Sequence, residues 1–170
     1  MKNSITRFVI QNDDVDYTDM LHRHLFDVNM RIFKENKQYR RLILSMVRYM
    51  VRVLETKFDD YDTAKGISGA NVGIPYNIIA IKTDSGEPRV FINPIVIDHS
   101  EETFKAKSNC GSLRLSKKVT VERYKRIQIE YFDEKGTIKE EKFEGSEGST
   151  IQHEIDHNMG ILIIDKQRES

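Results

Sequence analysis

One cysteine, Cys110, stands in a chain of 170 residues. An intrachain disulfide is therefore impossible, which points to the reducing cytoplasm and leaves Cys110 as either a small core residue or a working thiolate. Net charge is also missing, since 27 Lys and Arg cancel 27 Asp and Glu. That argues against a nucleic-acid binder that works by bulk phosphate neutralisation. No apolar run approaches the roughly 18 residues of a membrane span, so no membrane association is expected. Residues 1–7 lack the apolar region of a signal peptide. Internal repeats, low-complexity tracts and Pro/Gly-rich linkers are absent as well. The whole of 1–170 reads as a single domain, long enough to bury one core.

What is present begins as helix. Thr18 can cap a segment in which Leu21, Leu25, Val28 and Ile32 recur at helical spacing. A second segment gathers Leu42, Ile43, Met46, Val47, Met50, Val51 and Leu54 on one side, with Arg41, Arg48 and Arg52 largely off it. From Gly66 the pattern changes. Residues 78–81 and 90–97 are short Ile/Val-rich runs that fit strands, with Pro94 marking an edge or a bend in the second. Ile127, Ile129 and Tyr131 alternate with polar residues, and Asp133-Glu134-Lys135-Gly136 turns into 138–143 as a hairpin. A last helix is expected from Ser149 to Asn158, ended by Gly160. Helices first, then mostly antiparallel strands and one late helix, make an α+β domain.

The chemistry concentrates in Gln152-His153-Glu154-Ile155-Asp156-His157, which contains H-E-x-x-H. On a helix, residues four apart share a face, so both imidazoles can reach one metal. Glu154 lies beside the same site, where it can take a proton from an activated water. The alternative is a pair of satisfied structural histidines. A catalytic metal usually takes three protein ligands, and the residues alone leave the third open among Cys110, His99, His22, His24 and several carboxylates. Only 13 residues follow His157, which favours a third ligand upstream. Gly66, Gly69 and Gly73 can be turn residues only, and Gly66–Gly73 lacks the Lys-Ser/Thr ending of a phosphate-binding loop. Lys117-Lys118 and Arg123 to Arg126 read as a solvated face rather than an anion site.

In this order the motifs resemble those of the peptide deformylases, G-x-G-x-x-A-x-Q, E-G-C-L-S and H-E-x-D-H. His153-Glu154-Ile155-Asp156-His157 matches the third in full, flanked by Ile151-Gln152, Gly160-Ile161-Leu162 and Asp165. Ser108-Asn109-Cys110-Gly111-Ser112 stands for the second, and Gly66-Ile67-Ser68-Gly69-Ala70-Asn71, followed by Val72-Gly73-Ile74-Pro75, for the first. The resemblance covers about 42–165, leaving 1–41 as an N-terminal helical extension. It implies mostly antiparallel sheets around a central helix that binds one divalent metal, iron(II) or zinc, with nickel or cobalt able to substitute. Cys110, His153 and His157 would be the ligands, and Gly66, Gly69 and Ala70 would bind substrate. The implied activity is removal of the formyl group from N-terminal formylmethionine of peptides or nascent chains. A metal-held hydroxide would attack the formyl carbon, with Glu154 as general base and acid. Asn71 replaces the motif's oxyanion-stabilising Gln. Gly111 replaces the Leu whose N–H does the same, and Ser108 replaces its Glu. These departures keep a second reading in view, a deformylase-like peptide-binding protein without catalysis. An H-E-x-x-H endopeptidase is a third. Direct nucleic-acid binding is not expected, and the short tail after Asp165 leaves ribosome docking open.

Overall fold

The computed structural model describes residues 24–56, 65–108 and 119–168. Among these residues, the helices before the first strand are α1 (Met30–Glu35) and α2 (Lys37–Glu55). β1 (Gly66–Ser68), a 3-10 turn (Ala70–Val72), β2 (Ile78–Lys82) and β3 (Pro88–His99) follow. After them come β4 (Thr103–Ser108), β5 (Val119–Tyr124), β6 (Arg126–Phe132) and β7 (Ile138–Glu144). The last elements are α3 (Gly145–Asn158) and α4 (Ile163–Arg168).

Five strands form one antiparallel sheet in the order β1-β2-β3-β6-β7, and β4 with β5 form a separate two-stranded ribbon. The apolar run of β2 has no polar face because it is covered twice. Ile78 and Ala80 join Ile43, Val47 and Met50 of α2, whereas Ile79 and Ile81 join Ile151 and Ile155 of α3. Side chains alternate across a strand, so consecutive apolar residues are what a strand buried on both faces requires. A third cluster, Val119, Val121, Leu162 and Ile163, seats β5 against α4. The α+β class and its antiparallel pairing agree with expectation, as do the expected strands of the five-stranded sheet and the hairpin turn, where Gly136 has φ +81°. Leu42, expected in the buried stripe of α2, is exposed.

The start of the described chain differs from the helix expected there. Thr18 and Leu21 lie outside the described residues. Residues 24–28 are not helical, and the helix begins only at Met30, where the Asn29 side chain accepts from Ile32 N at 3.0 Å. Phe26 instead bridges Tyr76 in parallel, and Leu25 N donates to Asn158 O at 2.9 Å. Long-range backbone pairing overrides the local helical spacing of Leu25, Val28 and Ile32.

Pro94 sits in an interior strand, at a bend. Pairing of β3 with β6 shifts between Ile92 and Ile95, so no ladder bond is demanded of the proline nitrogen. Beside it Asn93 adopts φ +52°, and its side chain accepts from Val28 N and donates to Val28 O, both at 2.8 Å. Replacing Asn93 with Ala removes two hydrogen bonds and puts a Cβ residue without a local polar partner at positive φ. Urea denaturation is expected to show a loss of about 2–4 kcal/mol. Asn93→Gly should recover about 1 kcal/mol of this, because it removes the same bonds without the backbone cost.

Candidate metal centre

α3 begins earlier than Ser149, at Gly145, because its two early glycines fit the local geometry. Gly145 leaves β7 at φ +60°, and a Cβ on Gly148 would stand 3.1 Å from the Phe143 carbonyl. The helix then lies across the sheet on Ile151 and Ile155. Gly160, at φ +74°, ends it by donating to His157 O, as expected.

With the helix seated on its isoleucines, His153 and His157 stand on another side as neighbours one turn apart, their ring centroids 4.6 Å apart and their planes near perpendicular. His157 is buried and His153 partly so. Burial pushes His157 down to about 4, with Arg123 adding to the effect and Asp156 opposing it. Burial also holds His153 well below the ordinary imidazole range, helped by His157, Arg123 and Lys166. Both rings are thus neutral near pH 7, the form that donates a lone pair to a metal.

Glu154 is buried beside them, and its Oε2 has no hydrogen-bond partner among the described residues. Burial pushes this carboxyl up to about 8, opposed by Arg123 and reinforced by Asp156. A buried carboxylate without a partner is costly unless a cation or a reacting group faces it. Its other flank is β1. A Cβ on Gly66 would stand 2.7 Å from Glu154 Oε1 and 2.6 Å from Thr150 Cγ2, so only glycine lets β1 approach the helix this closely.

Three more polar residues of α3, Gln152, Asp156 and Asn158, have partners elsewhere in the fold. Gln152 accepts from Tyr124 N at 3.0 Å and donates to Tyr124 O at 3.1 Å, pairing with β5 as a neighbouring strand would. Asp156 receives Arg123 on Oδ2 and Lys166 on Oδ1, the latter at 2.9 Å. Asn158 donates to Asn77 Oδ1 at 2.9 Å. Arg123 is accordingly buried, which corrects the solvated face expected for it. The alternation of Val119, Val121 and Arg123 turns it inward, and Asp156 supplies the counter-charge. Arg126 is exposed as expected, and Lys117 and Lys118 lie outside the described residues.

In the turn after β1, Asn71 is buried and its Oδ1 accepts from Ser68 N at 2.7 Å and from Ser68 Oγ at 2.8 Å. These bonds fix the orientation of the carboxamide on a turn that packs against α3. Ala70 is buried in the same turn. Gly69 is pressed against the carbonyls of Ile74 and Tyr76, where a Cβ would come within 2.8 and 2.5 Å. His24 is exposed. His99 is exposed too, stacked on Tyr124 at 3.8 Å. Cys110, Gly111 and His22 lie outside the described residues, and no third His, Cys, Asp or Glu completes a metal-binding group among those described. Two neutral imidazoles one helical turn apart nevertheless suit a transition metal better than a hard cation.

Residues 15–170 match the family model described as polypeptide deformylase. A peptide deformylase of Thermotoga neapolitana is 34% identical over 122 residues, covering 72% of this chain and 72% of that protein. One of Bradyrhizobium sp. (strain ORS 278) is 39% identical over 108 residues, 59% of this chain. The match spans 61% of the Bradyrhizobium protein's own length. Among solved structures, the peptide deformylase of Thermotoga maritima superposes with a TM-score of 0.71 at 27% identity, over 93% of this chain and 95% of that one.

Proposed function

The chain belongs to the polypeptide deformylase family, and on that premise we propose that it hydrolyses the N-formyl group of formylmethionyl peptides. The observation that carries this reading is the gathering on one helix of His153, His157 and a buried Glu154 whose Oε2 has no hydrogen-bond partner among the described residues. His153 and His157 would hold a divalent metal, iron(II) or zinc, with Cys110 as the third ligand by resemblance. Bound there, the ion supplies Lewis acidity toward water and the formyl oxygen.

Everything else falls to the protein. Glu154 takes the proton of the attacking water and returns it to the departing amine, and burial brings its basicity close to neutral pH, where such transfers are most effective. Asn71, its Oδ1 accepting from Ser68, would offer an amide N–H to the oxyanion that develops on the formyl group, with the Gly111 N–H as a second donor. β1 is an edge strand that pairs with β2 alone among the described strands. An extended peptide can add along its outer edge, which gives Gly66, Gly69 and Ala70 their part in substrate binding. A lone cysteine ligand suits the reducing cytoplasm. No helix among the described residues is long and apolar enough to cross a membrane.

The test is release of formate from formyl-Met peptides by protein loaded anaerobically with iron(II), and in parallel with zinc. Turnover is expected with both. Peptide binding without formate, across a panel of formylated sequences, would assign the binding role instead. Cleavage inside an unformylated peptide would assign an endopeptidase.

A further inference from the structure

The ribbon of β4 and β5 shares no ladder with the five-stranded sheet, yet its two strands flank residues 109–118 in the chain. Its polar attachments to α3 fall at two places. Gln152, immediately before His153, pairs with the backbone of Tyr124. Asp156, immediately before His157, pairs with Arg123. Asp156 also receives Lys166 from α4, the helix against which β5 packs its valines.

We infer that Arg123, Asp156 and Lys166 form a positioning network that fixes the His-bearing helix against the ribbon and thereby sets the affinity of the centre for its metal. The inference rests on the reading of His153 and His157 as ligands. A buried ion pair is a poor way to gain stability, because desolvating both charges offsets most of their attraction. The side chains of Arg123 and Asp156 are only 2% and 12% exposed, so that offset applies here. What such a pair does well is to define one geometry. A carboxylate bonded from two directions by two different elements cannot slide without breaking a charged contact. Because Asp156 is the backbone neighbour of His157, rotation of α3 about its axis moves the imidazole and the carboxylate together. The network resists that rotation.

Arg89 and Glu141 supply the control. They also form a charged pair, at 2.9 Å, but join β3 to β7 and reach no residue of the centre. Cobalt(II) is the probe, its dissociation constant measured by competition with a chromophoric chelator and its coordination by visible absorption. Asp156→Asn and Arg123→Lys are expected to weaken cobalt binding about 10–100-fold and to shift the absorption bands. Arg89→Lys should lower the melting temperature and leave both readouts unchanged. Parent-like affinity and spectrum in folded Asp156→Asn and Arg123→Lys overturn the network, as does an equal loss in Arg89→Lys. If the two buried variants do not fold, Lys166→Met decides, since Lys166 reaches Asp156 from a partly exposed position. Weaker cobalt binding supports the network, and parent-like binding overturns it. Failure of the parent to bind cobalt overturns the reading of the centre itself, and the network with it.

Discussion

Glu154→Gln is expected to lower the rate of formate release by about 10²–10⁴-fold while the protein keeps its metal and its fold. The substitution preserves the shape that fits against Gly66 and removes the function proposed for the carboxylate, carrying a proton between water and the leaving amine. Because Glu154 is not a proposed ligand, metal content should stay at the parent level. Burial pushes this carboxyl up to about 8, so it is largely uncharged near pH 7 and the neutral amide adds no buried charge. The melting temperature should therefore hold, and lost activity cannot be assigned to unfolding. A group that acts only in the transition state lowers kcat and kcat/KM together, which steady-state kinetics would show. A variant within tenfold of the parent rate would remove Glu154 from the mechanism.

Gly66→Ala should be nearly as damaging from a position with no chemistry of its own. The new methyl would stand 2.6 Å from Thr150 Cγ2, 2.7 Å from Glu154 Oε1 and 2.8 Å from Glu154 Cγ, all inside van der Waals contact. Either β1 retreats from α3 or Glu154 swings aside. Overpacking of this kind costs about 1–3 kcal/mol, and a displacement near 1 Å at a reacting group lowers the rate by about 10²-fold. Adding Thr150→Ala separates the two effects. It removes one of the clashing atoms, so thermal stability should partly return. Glu154 remains displaced, so the rate should not. Parent activity in Gly66→Ala would mean that the close approach of β1 to the carboxylate has no part in turnover.

The elements that could be read from the sequence are those whose period and burial agree. β6 alternates Ile127, Ile129 and Tyr131 against polar neighbours because one face is buried, and α2 carries Ile43, Val47, Met50 and Leu54 on its buried side. H-E-x-x-H declares itself for the same reason, since helical spacing alone brings His153 to His157. What escaped depends on distant partners. Arg123 shares the period of Val119 and Val121, but a charged residue reads as exposed until Asp156, 33 positions later, neutralises it. The first turn of α3 looks unpromising because glycine disfavours helix, yet Gly148 is there because Phe143 leaves no room for a Cβ. Leu25 and Val28 imitate a helix although Asn158 and Asn93 hold their backbone extended. β4, β5 and α4 are too short or too charged to stand out before they pair and pack. Cys110 and Gly111, the other half of the expected centre, rest on the motif order alone.

The fastening of residues 24–29 also bears on how the molecule assembles. Asn158 meets Asn77 across 81 positions, Asn77 in turn donates to Asp27, and Asn93 grips Val28 across 65. Contacts of such long range cost chain entropy before they return any stabilisation, and they slow folding. During synthesis Leu25 must wait for its partner Asn158 until the helix bearing both histidines has been made. The metal centre is therefore among the last parts of the chain to become fixed, and refolding monitored through cobalt absorbance should lag behind recovery of secondary structure.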